Sequence, residues 1–135
     1  MTSWLETQKA VRAMRELLSV MKALADENRL RIVGALEGQE LCLCQLVELL
    51  GLATSTVSRH ASILQQARLV ESRKQGRWTY FRITEEAPPA AAGANDLVIS
   101  QLQGTRQVRE DRKKLKRILR TDPEELCRKQ SECKC

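Results

Sequence analysis

Apolar side chains recur along the chain first with helical and then with strand spacing. Residues 4–24 place Met14, Leu17, Leu18, Met21 and Leu24 on one stripe, with Arg12, Arg15 and Lys22 on other faces. That period predicts an amphipathic helix. Asp26 is placed to cap a second helix that runs to about Leu36, with Leu30, Val33 and Leu36 as its stripe and Gly38 as its stop. A third helix spans roughly Cys42 to Leu50 and ends at Gly51. Thr54 or Ser55 then caps a fourth, which runs to about Arg68. Over residues 69–84 the period changes. Val70, Arg73 and the run from Trp78 to Ile83 are strand-formers flanking Lys74-Gln75-Gly76-Arg77, and Gly76 suits a hairpin turn. The segment Ala87 to Ala94, with Pro88 and Pro89, reads as a linker. A further helix carries Leu97 and Leu102 and breaks near Gly104, and a charged helix continues through Val108, Leu115, Ile118 and Leu119.

The fold class is therefore mainly α with a small β-hairpin. Helix, short turn containing Gly, helix is the helix-turn-helix pattern, and a basic hairpin directly after the second helix is a wing. The organisation follows: a winged helix-turn-helix core with an N-terminal dimerisation helix over 1–86, a linker over 87–96, a C-terminal dimerisation helix over 97–121, and a Cys-rich flexible tail over 122–135. The first and last long helices carry apolar stripes with no obvious place in so small a core. A two-fold dimer interface formed through the N- and C-terminal helices would use them.

With 135 residues the chain supports one domain, and a formal net charge of +6 favours a polyanionic partner. The charge is concentrated where the reading head would be. Arg59, Arg68, Arg73, Lys74, Arg77 and Arg82 fall between Thr54 and Ile83, with Glu71 as the lone acid. Val57, Ala61 and Leu64 face the core at i, i+4 and i+7, which leaves Ser55, Thr56, Ser58, Arg59 and Ser62 on other faces. Small hydroxyls at the start of such a helix allow close approach to double-stranded DNA. The DNA-contacting set is Thr54, Ser55, Thr56, Ser58, Arg59, His60, Ser62, Arg73, Lys74 and Arg77. Arg59 suits either guanine or phosphate. His60, the single histidine, reads as a polar residue near the DNA backbone, since one histidine without a second makes a poor metal site. The run from Arg106 to Arg120 reads as the wet face of a helix.

No apolar run is long enough for a membrane span or a signal-peptide core, so the chain is expected in the cytoplasm with its five cysteines as reduced thiols. Cys42 and Cys44 stand one residue apart at the start of the third helix, and Cys127, Cys133 and Cys135 lie in the tail among Arg128, Lys129 and Lys134. Cations beside a cysteine favour the thiolate form. Thiolates bind soft metals and metalloids. Side chains at i and i+2 of a helix lie about 200° apart, so both sulfurs reach one ion only if the helix start unwinds. A thiophilic ion at Cys42 and Cys44 would thereby strain the helix that supports the reader. No catalytic constellation is visible, so the chain is not read as an enzyme. Two other classes compete: a metallochaperone or thiol oxidoreductase using Cys42 and Cys44, which leaves the basic wing unexplained, and an architectural DNA binder that senses nothing.

Three segments together resemble the ArsR/SmtB family of winged-helix metalloregulatory repressors: Leu24 to Ile32, then Glu40-Leu41-Cys42-Leu43-Cys44-Gln45-Leu46, then Ser55-Thr56-Val57-Ser58-Arg59-His60 with its basic hairpin. The resemblance covers roughly residues 14–84. It implies a homodimer that sits on operator DNA and leaves when a metal ion binds. Within the family, Cys42-Leu43-Cys44 is similar to the arsenic-responsive (ArsR) branch. That implies As(III) or Sb(III) as effector, repression of a metalloid-resistance operon, and no organic cofactor. Some members of that branch carry a third cysteine where this chain has Val47. The implied site is Cys42 and Cys44, with Cys127, Cys133 and Cys135 as further donors, or as groups that exchange As(III) with an arsenic metallochaperone. A two-thiol site also suits a methylated arsenical. The alternative within the same fold is a repressor that responds to thiol oxidation or to another soft ion such as Hg(II), Cd(II) or Cu(I).

Overall fold

The computed structural model describes residues 3–132. Ser3 caps helix α1 (Trp4–Leu24), reinforced by Glu6 reaching back to the Ser3 backbone. Asp26 caps α2 (Glu27–Ala35) by accepting from the amides of Asn28 at 2.8 Å and Arg29 at 3.1 Å. A short strand β1 (Leu41–Cys42) leads into α3 (Leu43–Leu50), which ends at Gly51 in the left-handed region at φ 67°. The reading helix α4 spans Thr54–Gln66 with Ala53 at its cap position, one residue before the expected start. Strands β2 (Val70–Gln75) and β3 (Trp78–Ile83) pair antiparallel from Val70 opposite Ile83 to Gln75 opposite Trp78. The two-residue turn Gly76-Arg77 joins them, with Gly76 at φ 62°. β1 adds to the other edge of β3, Leu41 opposite Phe81 and Cys42 opposite Tyr80, which gives the order β1-β3-β2. That third strand is too short to show as a period in the sequence.

Three expectations for the C-terminal half are corrected. The expected linker is largely helical: α5 (Pro89–Leu102) takes in most of it. Pro89 occupies the first turn, where a missing amide costs nothing, and alanine is the best helix former. The C-terminal dimerisation helix expected over 97–121 is not one element but parts of two, α5 and α6 (Arg106–Arg120), divided at the break expected near Gly104, which has φ 79°, and restarted by the Thr105 cap. Within the expected flexible tail, residues 123–132 form α7 (Pro123–Glu132), with Asp122 accepting from the Glu124 amide at 3.0 Å and Leu126 buried in the core. Asp-Pro-Glu-Glu is itself a helix-start signature, and the cysteine-rich composition masked it.

The core gathers Ile32, Leu36, Leu41, Leu46, Leu49 and Leu64, all fully buried. α6 is fastened to it by one buried charge: Asp111 accepts from Arg31 of α2 at 2.9 and 3.1 Å and from Gln107 at 3.0 Å. Arg31 and Lys114 also donate to the Leu49 carbonyl at the end of α3, at 3.5 and 2.9 Å. Among the described residues no helix is long and apolar enough to cross a membrane.

The Asp26 cap ties stability to pH. Burial pushes its carboxyl up, but amide hydrogen bonds from Arg29 and Asn28 and the charges of Arg29 and His60 together bring it below its ordinary 3.8. A depressed folded pKa contributes stability that is complete above the unfolded value and lost as pH falls through the folded one. Thermal unfolding of Asp26→Ala should show a loss of about 1 kcal/mol at pH 7, with the gap to native closing below about pH 4. A gap that stays constant down to the most acidic measurable pH would contradict this role.

Candidate thiol site and DNA-reading surface

The thiol site begins with local backbone geometry. Cys42 ends β1 in extended conformation and is the cap residue of α3, with its amide donating to Gln45 Oε1 at 2.9 Å. Pairing with Tyr80 on one side and the turn into α3 on the other carries its side chain into the core, where it is a free thiol only 1% exposed. Cys44, in the first turn of α3, is half-buried on the outer side. There it meets α7. Gln130 donates to the Cys44 carbonyl at 2.8 Å, and Leu126 anchors the helix in the core. Cys127 is thereby brought within 5.5 Å of Cys44, Cα to Cα, and the two sulfurs are bonded.

The expectation of five reduced thiols is corrected at this pair. The sequence separation of 83 residues hid their proximity, which only the docking of α7 on α3 creates. Of the sequence-derived sulfur donors, the structure joins Cys44 to Cys127 and keeps Cys42, two residues before Cys44, buried. Cys133 and Cys135 lie outside the described residues. Among the described residues no three His, Cys, Asp or Glu side chains come together as a metal site.

Helix α4 presents its faces as the periodicity predicts. Val57, Ala61 and Leu64 are buried, while Thr54, Ser55, Thr56, Ser58, Arg59 and Ser62 are exposed. His60 is half-buried, and its Nδ1 lies 3.1 Å from Arg29 Nη1, so it ties α4 to the start of α2. Arg29 in turn donates to the Ala23 carbonyl at 2.6 Å. The wing follows through Gln65, which donates to Ser72 Oγ at 3.0 Å.

Two wing arginines carry partners that sequence reasoning missed. Arg73 donates to both oxygens of Glu40 at 2.6 and 2.8 Å and stacks over the Tyr80 ring at 4.7 Å. That hydrogen bond is the main reason the Glu40 carboxyl sits below its ordinary range and the Arg73 guanidinium above its own. Arg77 donates to Glu124 of α7 at 2.7 Å and lies over the Trp78 ring at 5.0 Å. Glu40 stands beside the cysteine pair in sequence, and its spacing from Arg73 gives no sign of the pairing until β1 joins the sheet. Lys74 and Arg59 are exposed.

A helix-turn-helix followed by a basic hairpin wing defines the class: a winged helix-turn-helix protein, built to bind DNA. The family description "Bacterial regulatory protein, arsR family" matches residues 26–72. Over 80 residues the chain is 42% identical to the arsenic resistance transcriptional regulator ArsR1 of Pseudomonas putida, a match covering 56% of this chain and 62% of that protein. Over 76 residues it is 41% identical to the arsenical resistance operon repressor of Escherichia coli, covering 56% and 65%. The chain thus spans less than two thirds of either relative's length. In structure it is similar to the homodimeric winged helix-turn-helix domain of a possible ArsR-family regulator from Mycobacterium bovis, with TM-score 0.58 and 27% identity, covering 70% of this chain and 87% of that one. The chain belongs to the ArsR family of bacterial transcriptional regulators.

Glu40 and Glu124 hold Arg73 and Arg77 in ion pairs, and a phosphate reaching the wing would compete for the same cations. Replacing both by Gln should raise affinity for duplex DNA and steepen the fall of log K with log salt by about 0.9 for each arginine released per wing. Fluorescence anisotropy over a salt series reads both. An unchanged slope would mean that Arg73 and Arg77 do not reach phosphate.

Proposed function

We propose that this chain is a dimeric, metalloid-responsive repressor that occupies operator DNA of a metalloid-resistance operon and dissociates when As(III) or Sb(III) binds cysteine thiolates. The observation that carries this reading is the placement of Cys127 against Cys44, two residues from Cys42, at the start of the helix that supports α4. The names of the arsenic-resistance relatives support the same ligand class.

The ligand set is Cys42, Cys44 and Cys127. Once a thiol reductant has opened the Cys44–Cys127 disulfide, arsenous acid reacting with the three thiols forms three As–S bonds and releases three waters, with arsenic trivalent throughout. Cys44 and Cys127 face each other already. Cys42 must leave the core to join them, because at i and i+2 its side chain points elsewhere. Its departure unpairs β1 from Tyr80, frees the Gln45 clamp and loosens the turn into α3. α3 packs on α4 and β1 packs on the wing strand β3, so both reading elements lose their support together. The ligand thus binds the DNA-free arrangement better than the DNA-bound one, as an effector must. A coupling of about 1–3 kcal/mol weakens operator binding by about 5- to 150-fold.

Operator reading by two copies supports the dimer. α1 exposes Trp4, Leu5, Met14, Leu17, Leu18 and Met21, while Leu97 and Leu119 are exposed on α5 and α6. An apolar stripe of this length on a soluble chain suits an interface, and two reading heads about one helical turn apart suit a palindromic operator. The structural neighbour is itself homodimeric. A Leu17→Glu/Leu18→Glu chain should run as a folded monomer in size-exclusion chromatography with light scattering. A dimer that persists would move the interface elsewhere.

A second reading has its own observation. Cys44 and Cys127 are disulfide-bonded, so thiol oxidation bridges α3 to α7 without any ion. One assay separates the two. The reduced chain on operator DNA is titrated with arsenite, antimonite or peroxide, and release is followed by anisotropy. On the metalloid reading, Cys44→Ser and Cys127→Ser each shift the arsenite midpoint by more than about tenfold, equal to 1.4 kcal/mol, and peroxide releases little DNA. Release by peroxide with no arsenite response would replace the metalloid reading by the oxidative one.

A further inference from the structure

Helix α6 concentrates the charge of this protein. It carries eight lysines and arginines against Glu110 and Asp111, a net +6 that equals the formal charge of the whole chain. The remaining residues, reading head included, therefore balance to zero. The faces of the helix are sorted. Asp111, Leu115 and Ile118 are buried, Asp111 against Arg31. Arg106 is matched with Glu110 at 3.8 Å and Arg112 with Glu37 at 3.7 Å. Arg109, Lys113, Lys116 and Arg120 are exposed. They follow one another at i, i+4, i+7 and i+11, which aligns them along one outward line about 16 Å long.

Helix physics gives no reason for such a line. Like charges three and four residues apart repel and weaken a helix. The macrodipole favours Arg117 and Arg120 in the last turn but opposes Arg106 and Arg109 near the start. A merely wet face mixes its signs, as α1 does with Glu6, Lys9, Arg12 and Glu16. Position supplies the reason. Lys114 donates to the carbonyl of Leu49 at 2.9 Å, one residue before the end of α3. The chain then passes through Gly51, Leu52 and Ala53 to Thr54 and Ser55 at the exposed start of α4. α6 therefore lies beside the turn of the helix-turn-helix, where the reading helix meets the groove.

We infer that the outward face of α6, with Arg109, Lys113, Lys116 and Arg120, is a second contact with duplex DNA that takes backbone phosphates next to those reached by α4 and the wing. The inference rests on the operator-binding part of the function proposed above and extends the surface that performs it. One strand of a duplex presents a phosphate for about every 3.4 Å of axis, so the line can meet up to about five of them. Phosphate contacts carry no sequence information, so α6 adds affinity and leaves the choice of operator to α4. An anionic membrane surface is the other polyanion of this kind. A basic amphipathic helix enters a membrane by its apolar face, and here Leu115 and Ile118 are buried in the core. Charge complementarity and continuity with the reading head both select DNA.

The test uses the full chain, reduced, with anisotropy on a labelled mixed-sequence duplex over a salt series. The native chain is compared with Arg109→Gln/Lys113→Gln/Lys116→Gln/Arg120→Gln and with the charge-preserving Arg109→Lys/Lys113→Arg/Lys116→Arg/Arg120→Lys. A control, Lys9→Gln/Arg12→Gln/Arg15→Gln/Lys22→Gln, removes the same charge from α1. The glutamine variant of α6 should lower the slope of log K against log salt by about 0.9 for each side chain that reaches phosphate, up to about 3.6 per protomer. Lys113→Gln/Lys116→Gln alone should give about half of that change, a grading that a folding defect would not produce. The charge-preserving variant should keep the native slope, and the α1 control should stay near it. Without DNA, removal of the repelling line should leave the thermal midpoint unchanged or raise it. A glutamine variant with the slope of the α1 control overturns the inference and leaves operator binding by α4 and the wing intact. Loss of binding to phosphatidylglycerol vesicles with no change on the duplex also overturns it and assigns the face to a membrane surface. If the native chain shows no salt-dependent duplex binding, the operator-binding reading itself fails.

Discussion

Burial of one short helix governs this molecule. α3 is eight residues long, and Leu46 and Leu49 on it are fully buried. It packs against the reading helix, the wing sheet, α6 and α7 at once. An isolated helix of that length has no stability of its own in water, so everything that holds it is tertiary. Its start is held by β1 and the Gln45 clamp, and its end by Gly51 and the cations on the Leu49 carbonyl. A small chemical change at either end therefore cannot be absorbed locally and is passed to its neighbours.

The thiols exploit that position. Cys42 is a small apolar core residue in the resting arrangement, contributing packing and nothing else. Cys44 faces outward on the same turn. On the proposed metalloid reading, a ligand that takes both has to draw Cys42 out of the core, which would unwind the junction between β1 and α3. The charge pairs of the wing sit on the same pieces. Glu40 precedes β1 and Glu124 belongs to α7, so the elements that carry the sulfur chemistry also carry the acids that hold Arg73 and Arg77. A surface pair of this kind contributes little to stability. A phosphate reaching the wing would compete for the same cations.

Much of this was legible in the residues alone. The 3.6-residue stripes of α1, α2 and α4, the Asp26 cap, the Gly51 stop and the Gly76 hairpin all follow from local chemistry: which side chains tolerate a helix, cap it or turn the chain. The inward set Val57, Ala61 and Leu64 and the outward hydroxyls of α4 follow from the same period. The Cys42 and Cys44 pair stood out by type and spacing. Composition misled at two places. Pro88-Pro89 with its alanines looked like a linker and starts α5, and the cysteine-rich end looked loose and forms α7. In both, a proline at the first helical turn was the signal to heed, since that is where proline is tolerated.

What no local pattern contained is which distant groups meet. Local pattern alone sets the winged helix-turn-helix plan, the basic reading surface and the closely spaced pair Cys42 and Cys44, because each depends on neighbours within a few residues. Packing between distant elements makes Cys127 the partner of Cys44, turns Cys42 into the core, brings His60 to Arg29, and sets Glu40 and Glu124 against the wing arginines. The physical reason is shared by all of them. Each pairing spans 31 to 83 residues of chain, and is set by how apolar faces dock. Docking is a property of the assembled core, and α7 meets α3 because Leu126 is buried there.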